Sequence, residues 1–272
     1  MKRKPAFAGQ FYPYNEKELR MAIAEYSPET EEKKEALGVL CPHAGYVFSG
    51  AVAGKVFAGI NIPRVAVVLN PGHNYSEPPF ALWADDAWET PLGEIPIHNE
   101  LNSALADIPL VTTNNRVHVP EHSAEVVLPF LQYHRADISI CVICVGSAGA
   151  PSRLTELGRE IAAAIRNAGV DDALIVASSD MSHEQGPDAL TTVNINDPLA
   201  VEKMERLDPE GLLRVCRENE ITMCGVMPAA VMMESVRARG GSQGELLMRM
   251  TSADSPQGRG DYVVGYAGMI FS

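Results

Sequence analysis

Short, wholly apolar runs alternate along this chain with segments whose apolar residues recur every three or four positions. Val65 to Leu69 is apolar at every position, which predicts a strand buried on both faces. Leu37 to Cys41, Ile138 to Val145 and Ala173 to Ser178 read the same way. Between them the helical period appears. Asn15 to Tyr26 predicts a helix capped by Asn15, with Leu19, Met21, Ile23 and Ala24 as its apolar surface. Ser49 to Ile60 predicts a helix of small residues. Ser123 is placed to cap a helix through Tyr133, striped by Val126, Val127, Phe130 and Leu131 and bent at Pro129. Further helices are expected over Pro151–Ala168, ended by Gly169, and over Pro198–Leu207, Pro209–Asn219 and Val226–Arg239. The aromatic, proline-interrupted Phe80–Ile97 stretch predicts a hairpin or edge excursion. Glu245–Thr251 and Tyr262–Phe271, joined by the Gly/Ser/Asp-rich Ser252–Asp261 segment, predict a final antiparallel pair.

Strands and helices alternating at these lengths predict an α/β fold. Its central sheet should be mainly parallel or mixed, with helices on both faces. With no repeat, linker or break in composition, residues 1–272 read as a single domain. In such sheets ligands collect beyond the carboxyl ends of the strands, and the chemistry should be sought there.

Composition narrows the function classes. A formal net charge of −13 argues against nucleic acid, which requires a basic footprint. No apolar stretch approaches the ~18 residues of a membrane span. Pro5 to Gln10, after the basic start, is too short and polar for a signal-peptide core. Five cysteines without a tight framework fit a reducing compartment, and a cytoplasmic location is expected.

Three predicted strands run directly into loops that carry histidine. These are Cys41-Pro42-His43-Ala44-Gly45-Tyr46, Asn70-Pro71-Gly72-His73-Asn74 and Ser179-Asp180-Met181-Ser182-His183. If the strands are parallel, the loops share one edge. Imidazoles there can hold a transition metal or move protons near neutral pH. Asp180, three residues before His183, is placed to orient that imidazole. Cys224 lies just ahead of the Val226–Arg239 helix, where the helix dipole favours a thiolate, both a nucleophile and a soft metal ligand. Cys141 and Cys144 belong to a strand and point to opposite faces, so they cannot chelate one ion; with Cys216 they are expected to be core. Glu121-His122-Ser123-x-Glu125 reads as a helix-opening cap, with His122 as a candidate at the cleft rim. His98, His118 and His134 are expected to be solvated. Gly50-Ala51-Val52-Ala53-Gly54-Lys55-Val56 has one residue too few for a phosphate loop and Val56 in place of its hydroxyl.

Taken in order, several motifs resemble the Memo family, including the members named for the AmmeMemoRadiSam system (protein B). They are Pro5-Ala6-x-Ala8-Gly9-Gln10-Phe11-Tyr12-Pro13, Pro42-His43-Ala44-Gly45-Tyr46 with Ser49-Gly50, Gly72-His73, Glu121-His122-Ser123-x-Glu125, Ser178-Ser179-Asp180-x-Ser182-His183 and Cys224-Gly225. The resemblance implies a fold like that of the class III extradiol dioxygenases. It places His43 and His73 on two histidine ligands, Cys224 where a carboxylate ligand would stand, and His183 with Asp180 near an acid/base position, with His122 in the same cleft. The implied cofactor is Fe(II) or Cu, with Zn as a further candidate. A thiolate in place of a hard carboxylate changes the electron density on the ion and argues against ring cleavage.

Two function classes follow. One is a metal-binding redox protein or oxidoreductase acting on a small molecule. The other is a non-catalytic peptide- or protein-binding module using the same cleft, favoured by the aromatic Tyr75–Trp88 stretch with Phe80, Trp83 and Trp88. The family's system name further implies a radical-SAM partner, whose cluster would have to be its own, since this chain has no CxxxCxxC motif.

Overall fold

In the computed structural model of the chain, residues 2–30, 32–75, 77–146 and 150–272 are described. The strands are β1 (Lys2–Arg3), β2 (Gly38–Cys41), β3 (Val65–Pro71), β4 (Phe80–Leu82), β5 (Ala87–Thr90), β6 (Gly93–Pro96), β7 (Thr112–Thr113), β8 (Ser139–Val145), β9 (Leu174–Ser178), β10 (His183–Gln185), β11 (Gly244–Thr251) and β12 (Tyr262–Phe271). The helices are α1 (Glu16–Tyr26), α2 (Tyr46–Ala58), α3 (Asn99–Ala106), α4 (Leu128–His134), α5 (Pro151–Asn167), α6 (Ala189–Glu205), α7 (Pro209–Glu218) and α8 (Val226–Ala238).

Among the described residues the main sheet has nine strands in the order β10-β12-β2-β9-β3-β8-β4-β7, with β11 also paired to β12. Its centre, β2-β9-β3-β8, is parallel. The flanks are mixed: β12 runs antiparallel to β2, β10 and β11, and β4 antiparallel to β8. A small second sheet joins β1, β5 and β6.

The period of two along each buried strand divides one apolar run between two cores. Val67, Leu69, Ile175 and Ile143 face a layer of α3, α5, α6, α7 and α8. Ala66, Val68, Val176 and Val142 face α1, α2 and α4. Cys141 and Cys144 accordingly fall in separate apolar clusters and are buried, as is Cys216. Gly50 and Gly54 serve contact between helices. A Cβ on Gly54 would lie 2.1 Å from the Tyr26 carbonyl oxygen, and one on Gly50 would meet the Tyr26 ring at 2.6 Å. That close approach is what lets α1 lie on α2.

Three expectations of local structure are corrected. Pro129 does not bend a helix that starts at Ser123; it occupies the first turn of α4. The segment before α4 is a run of turns, because the Ser123 hydroxyl is bound to Glu121 instead of capping. Pro198 lies inside α6, which begins at Ala189. Packing of Ala189 and Val193 on Val263 outweighs the local cost of the proline. Helix α3, absent from the sequence expectation, is capped by the His98 side chain, which accepts from Leu101 N.

Candidate metal centre

Strands β2, β9 and β3 are adjacent and parallel, so the loops after Cys41, Ser178 and Pro71 open at one edge. His43, His73 and His122 meet there, with one nitrogen from each ring all within 4.8 Å of one another. The His43 and His73 rings stand 5.3 Å apart, and His122 stacks on His73 at 4.7 Å.

Neighbouring groups determine which nitrogen of His43 faces the cluster. Ser178 Oγ has a single proton and donates it to the Ser123 carbonyl at 2.6 Å. It must therefore accept from His43 Nδ1, 2.8 Å away, which leaves Nε2 with its lone pair. Burial, then the neighbouring His122 and His73, hold His43 well below the usual imidazole pKa, so the ring is neutral.

His73 is gripped by a carboxylate. Glu121 Oε2 accepts from the His73 main-chain N at 2.7 Å and Oε1 from its Nδ1 at 2.8 Å. Ser123 N and Oγ donate to Oε1 as well. Burial works against the Glu121 charge, but the His73 hydrogen bond and charge and the Ser123 donors outweigh it, lowering its pKa to about 2. For His73, burial is likewise outweighed by Glu121, and its pKa rises. Here too Nδ1 is engaged and Nε2 is free. Such outer partners orient histidine ligands and set their tautomer.

Cys224 comes to the same place from the other side. Its Sγ lies 3.3 Å from His43 Nε2 and accepts from Asp180 N at 3.3 Å. It is not a member of the mutually close set, where His122 stands third. Against the helix-start preference for a thiolate, burial and the nearby Asp180 push the Cys224 thiol up. Gly225 permits the approach, since a Cβ there would lie 2.4 Å from the Ser178 carbonyl oxygen.

Among the described residues Asp180 makes no hydrogen bond with His183, though the His183 charge acts on it. Its Oδ1 accepts from His43 N and Ala44 N at 2.8 and 3.2 Å, so it pins the loop that carries His43. Burial raises its pKa, against those two hydrogen bonds. His183 is instead held by Thr222, whose Oγ1 accepts from His183 N at 2.7 Å and whose carbonyl lies 3.3 Å from Nδ1. His122, Asp180 and His183 line an open cleft of about 1200 Å³ with Phe11, Phe48 and Tyr266.

Sequence reasoning assigns no role to Ser178 or Thr222 and reads Glu121 as a helix-cap acid, although Ser178 and Glu121 both stand in the motifs that carry the family resemblance. His118 was expected in solvent and is fully buried between Trp83 and Trp88, its Nε2 3.0 Å from the Ala81 carbonyl. His98 and His134 are half-buried. Phe80, Trp83 and Trp88 are fully buried, so that stretch offers a partner no aromatic surface beyond the exposed Tyr75.

The Memo-like protein family model matches residues 3–270. The chain belongs to the Memo family. A MEMO1 family protein of Aquifex aeolicus is 38% identical over 99% of this chain and 98% of its own length. A MEMO1 family protein of Methanopyrus kandleri is 36% identical over 100% and 99%. Among solved structures, uncharacterized protein JW3007 from Escherichia coli K12 superposes with a TM-score of 0.52 at 16% identity, covering 86% of this chain and 98% of that one. At that identity the likeness shows a shared fold. In this Memo family member no helix among the described residues is long and apolar enough to cross a membrane.

Proposed function

We propose that this Memo family protein binds one transition-metal ion through His43, His73 and His122, with Cys224 as an adjoining sulfur donor, and acts on a small molecule in the cleft as an oxidoreductase. The observation that carries the reading is the paired orientation of His43 and His73. In each, Nδ1 is engaged by a buried acceptor, so Nε2 is the nitrogen left for an ion. Imidazole nitrogens with a sulfur beside them suit Fe(II), Cu and Zn. An ion bound there would supply Lewis-acid or one-electron chemistry.

The chain's own residues account for the rest. Ser178 and Glu121 fix the donor nitrogens, and Asp180 holds the His43 loop. His183, on the cleft wall and outside the histidine set, has its Nε2 free to carry a proton to or from a bound molecule. A peptide-binding role loses its main support with the burial of Phe80, Trp83 and Trp88.

The test is metal content of protein purified under strictly reducing conditions, compared with His43→Ala and Cys224→Ser. The reading expects near-stoichiometric metal in the wild type and loss in His43→Ala. Cys224→Ser should keep the ion and, with Co(II), lose sulfur charge-transfer absorption. Equal trace metal in all three would refute the site, and unchanged Co(II) absorption in Cys224→Ser would remove the sulfur from it.

A further inference from the structure

Two of the three clustered rings are oriented by hydrogen bonds, and among the described residues the third is not. His122 Nδ1 stands 3.5 Å from Glu121 Oε1 and makes no hydrogen bond with it of normal length. What holds His122 is ring packing. His73 lies on one face at 4.7 Å, and Phe11 packs against the ring at 4.7 Å with Phe7 at 5.6 Å.

Both phenylalanines sit on an N-terminal strap whose anchor is a single buried carboxylate. Glu125, with no exposed surface, accepts from Ala6 N at 3.0 Å, Phe7 N at 2.8 Å, Tyr12 OH at 2.6 Å and Arg3 Nη1. Turn hydrogen bonds close the strap on itself, Phe11 N to Phe7 O and Gly9 N to Tyr12 O. The Phe11 carbonyl then accepts from Tyr46 N at 2.8 Å, tying the strap to the start of α2. Arg3 also donates to the carbonyls of His118 and Glu121, so strap and His122 segment are bound at both ends.

We propose that Glu125 is a positioning residue for the metal centre, holding His122 against His43 and His73 through the Ala6–Tyr12 strap and the Phe7 and Phe11 rings. It does for His122 by packing what Ser178 and Glu121 do for the other two by hydrogen bonding. The inference rests on the metal-binding reading of the cluster, and its test separates the two.

Glu125→Gln preserves size but sets amide donors against the N–H and O–H donors that now converge on the carboxylate. Loss of an outer partner of a metal ligand typically lowers affinity by about tenfold or more. Co(II) affinity should therefore fall by about tenfold in Glu125→Gln and not fall further when the substitution is added to His122→Ala, a coupling that a double-mutant cycle measures. An equal loss in both backgrounds would show general loosening of the fold and overturn the proposal. A second readout needs no metal. In metal-free protein the ring-current-shifted imidazole resonances of His122 should move toward free-histidine positions in Glu125→Gln, and unchanged resonances would also overturn it. Should the wild type take up no Co(II), the metal reading falls and Glu125 loses its role toward the ion, whatever the resonances show. If Glu125→Gln does not fold, Phe11→Leu at the partly exposed cleft wall carries the same expectations.

Discussion

Replacing Glu121 by glutamine removes the charge that grips His73 while keeping the side chain's volume. The carboxylate is 1% exposed and accepts from His73 N, His73 Nδ1, Ser123 N and Ser123 Oγ. Its pKa is lowered from 4.5 to about 2, a gap worth on the order of 3 kcal/mol of folding free energy at about 1.4 kcal/mol per pH unit. His73 reports the same interaction from the other side, so it is counted once. The sign follows from the depressed value. The contribution is complete above pH 4.5 and fades as pH falls toward 2, where the native carboxylate also takes up its proton. In Glu121→Gln the amide must also place a donor against donors, leaving a buried N–H or O–H unmet at about 1–3 kcal/mol. Urea unfolding of metal-free protein should show the variant about 3 kcal/mol or more less stable at pH 7, with the gap shrinking near pH 3 as the charge contribution fades. Co(II) affinity should drop by about 10- to 100-fold, as expected when a histidine ligand loses its carboxylate partner. A gap independent of pH, or an unchanged affinity, would refute the assignment of Glu121 as the clamp.

Gly225→Ala should destabilise by about 2 kcal/mol or more, because its Cβ would meet Ser178 O at 2.4 Å and Ser179 Cβ at 2.5 Å. Faster alkylation of Cys224 would report its displacement, and unaltered stability and reactivity would contradict the close approach. His118, neutral when folded because burial lowers its pKa to about 3, should make stability fall with pH between its unfolded value of ~6.5 and ~3, by up to about 1.4 kcal/mol per pH unit. His118→Gln should flatten that dependence, and parallel curves for the two proteins would count against it. His183→Ala should leave Co(II) stoichiometry unchanged, since His183 lies outside the histidine set; loss of the ion would make it a ligand.

The parallel centre of the sheet was legible because Val65–Leu69 is apolar at every position and its counterparts nearly so, as short strands buried on both faces are. From that alone followed the shared edge at which the loops of His43, His73 and Asp180 open. The Cys141 and Cys144 side chains, too, were separable by strand periodicity. The errors arose where long-range partners override local preference. His118 sits in a polar stretch of sequence, yet two tryptophans from the edge excursion enclose it. Pro198 carries a helix-start signal, yet apolar packing on β12 extends α6 by more than two turns before it.

By itself, then, the order of apolar and polar residues determined the layered α/β architecture and which loops would carry the chemistry, since backbone periodicity is a local property written in adjacent positions. Only the tertiary structure decided that His122 stands third beside His43 and His73, that burial and Asp180 push the Cys224 thiol up in the metal-free protein against the pull of its helix, and that Asp180 accepts hydrogen bonds from the His43 loop. Those outcomes depend on distances and desolvation among residues from 44 to 181 positions apart, and no local pattern encodes either.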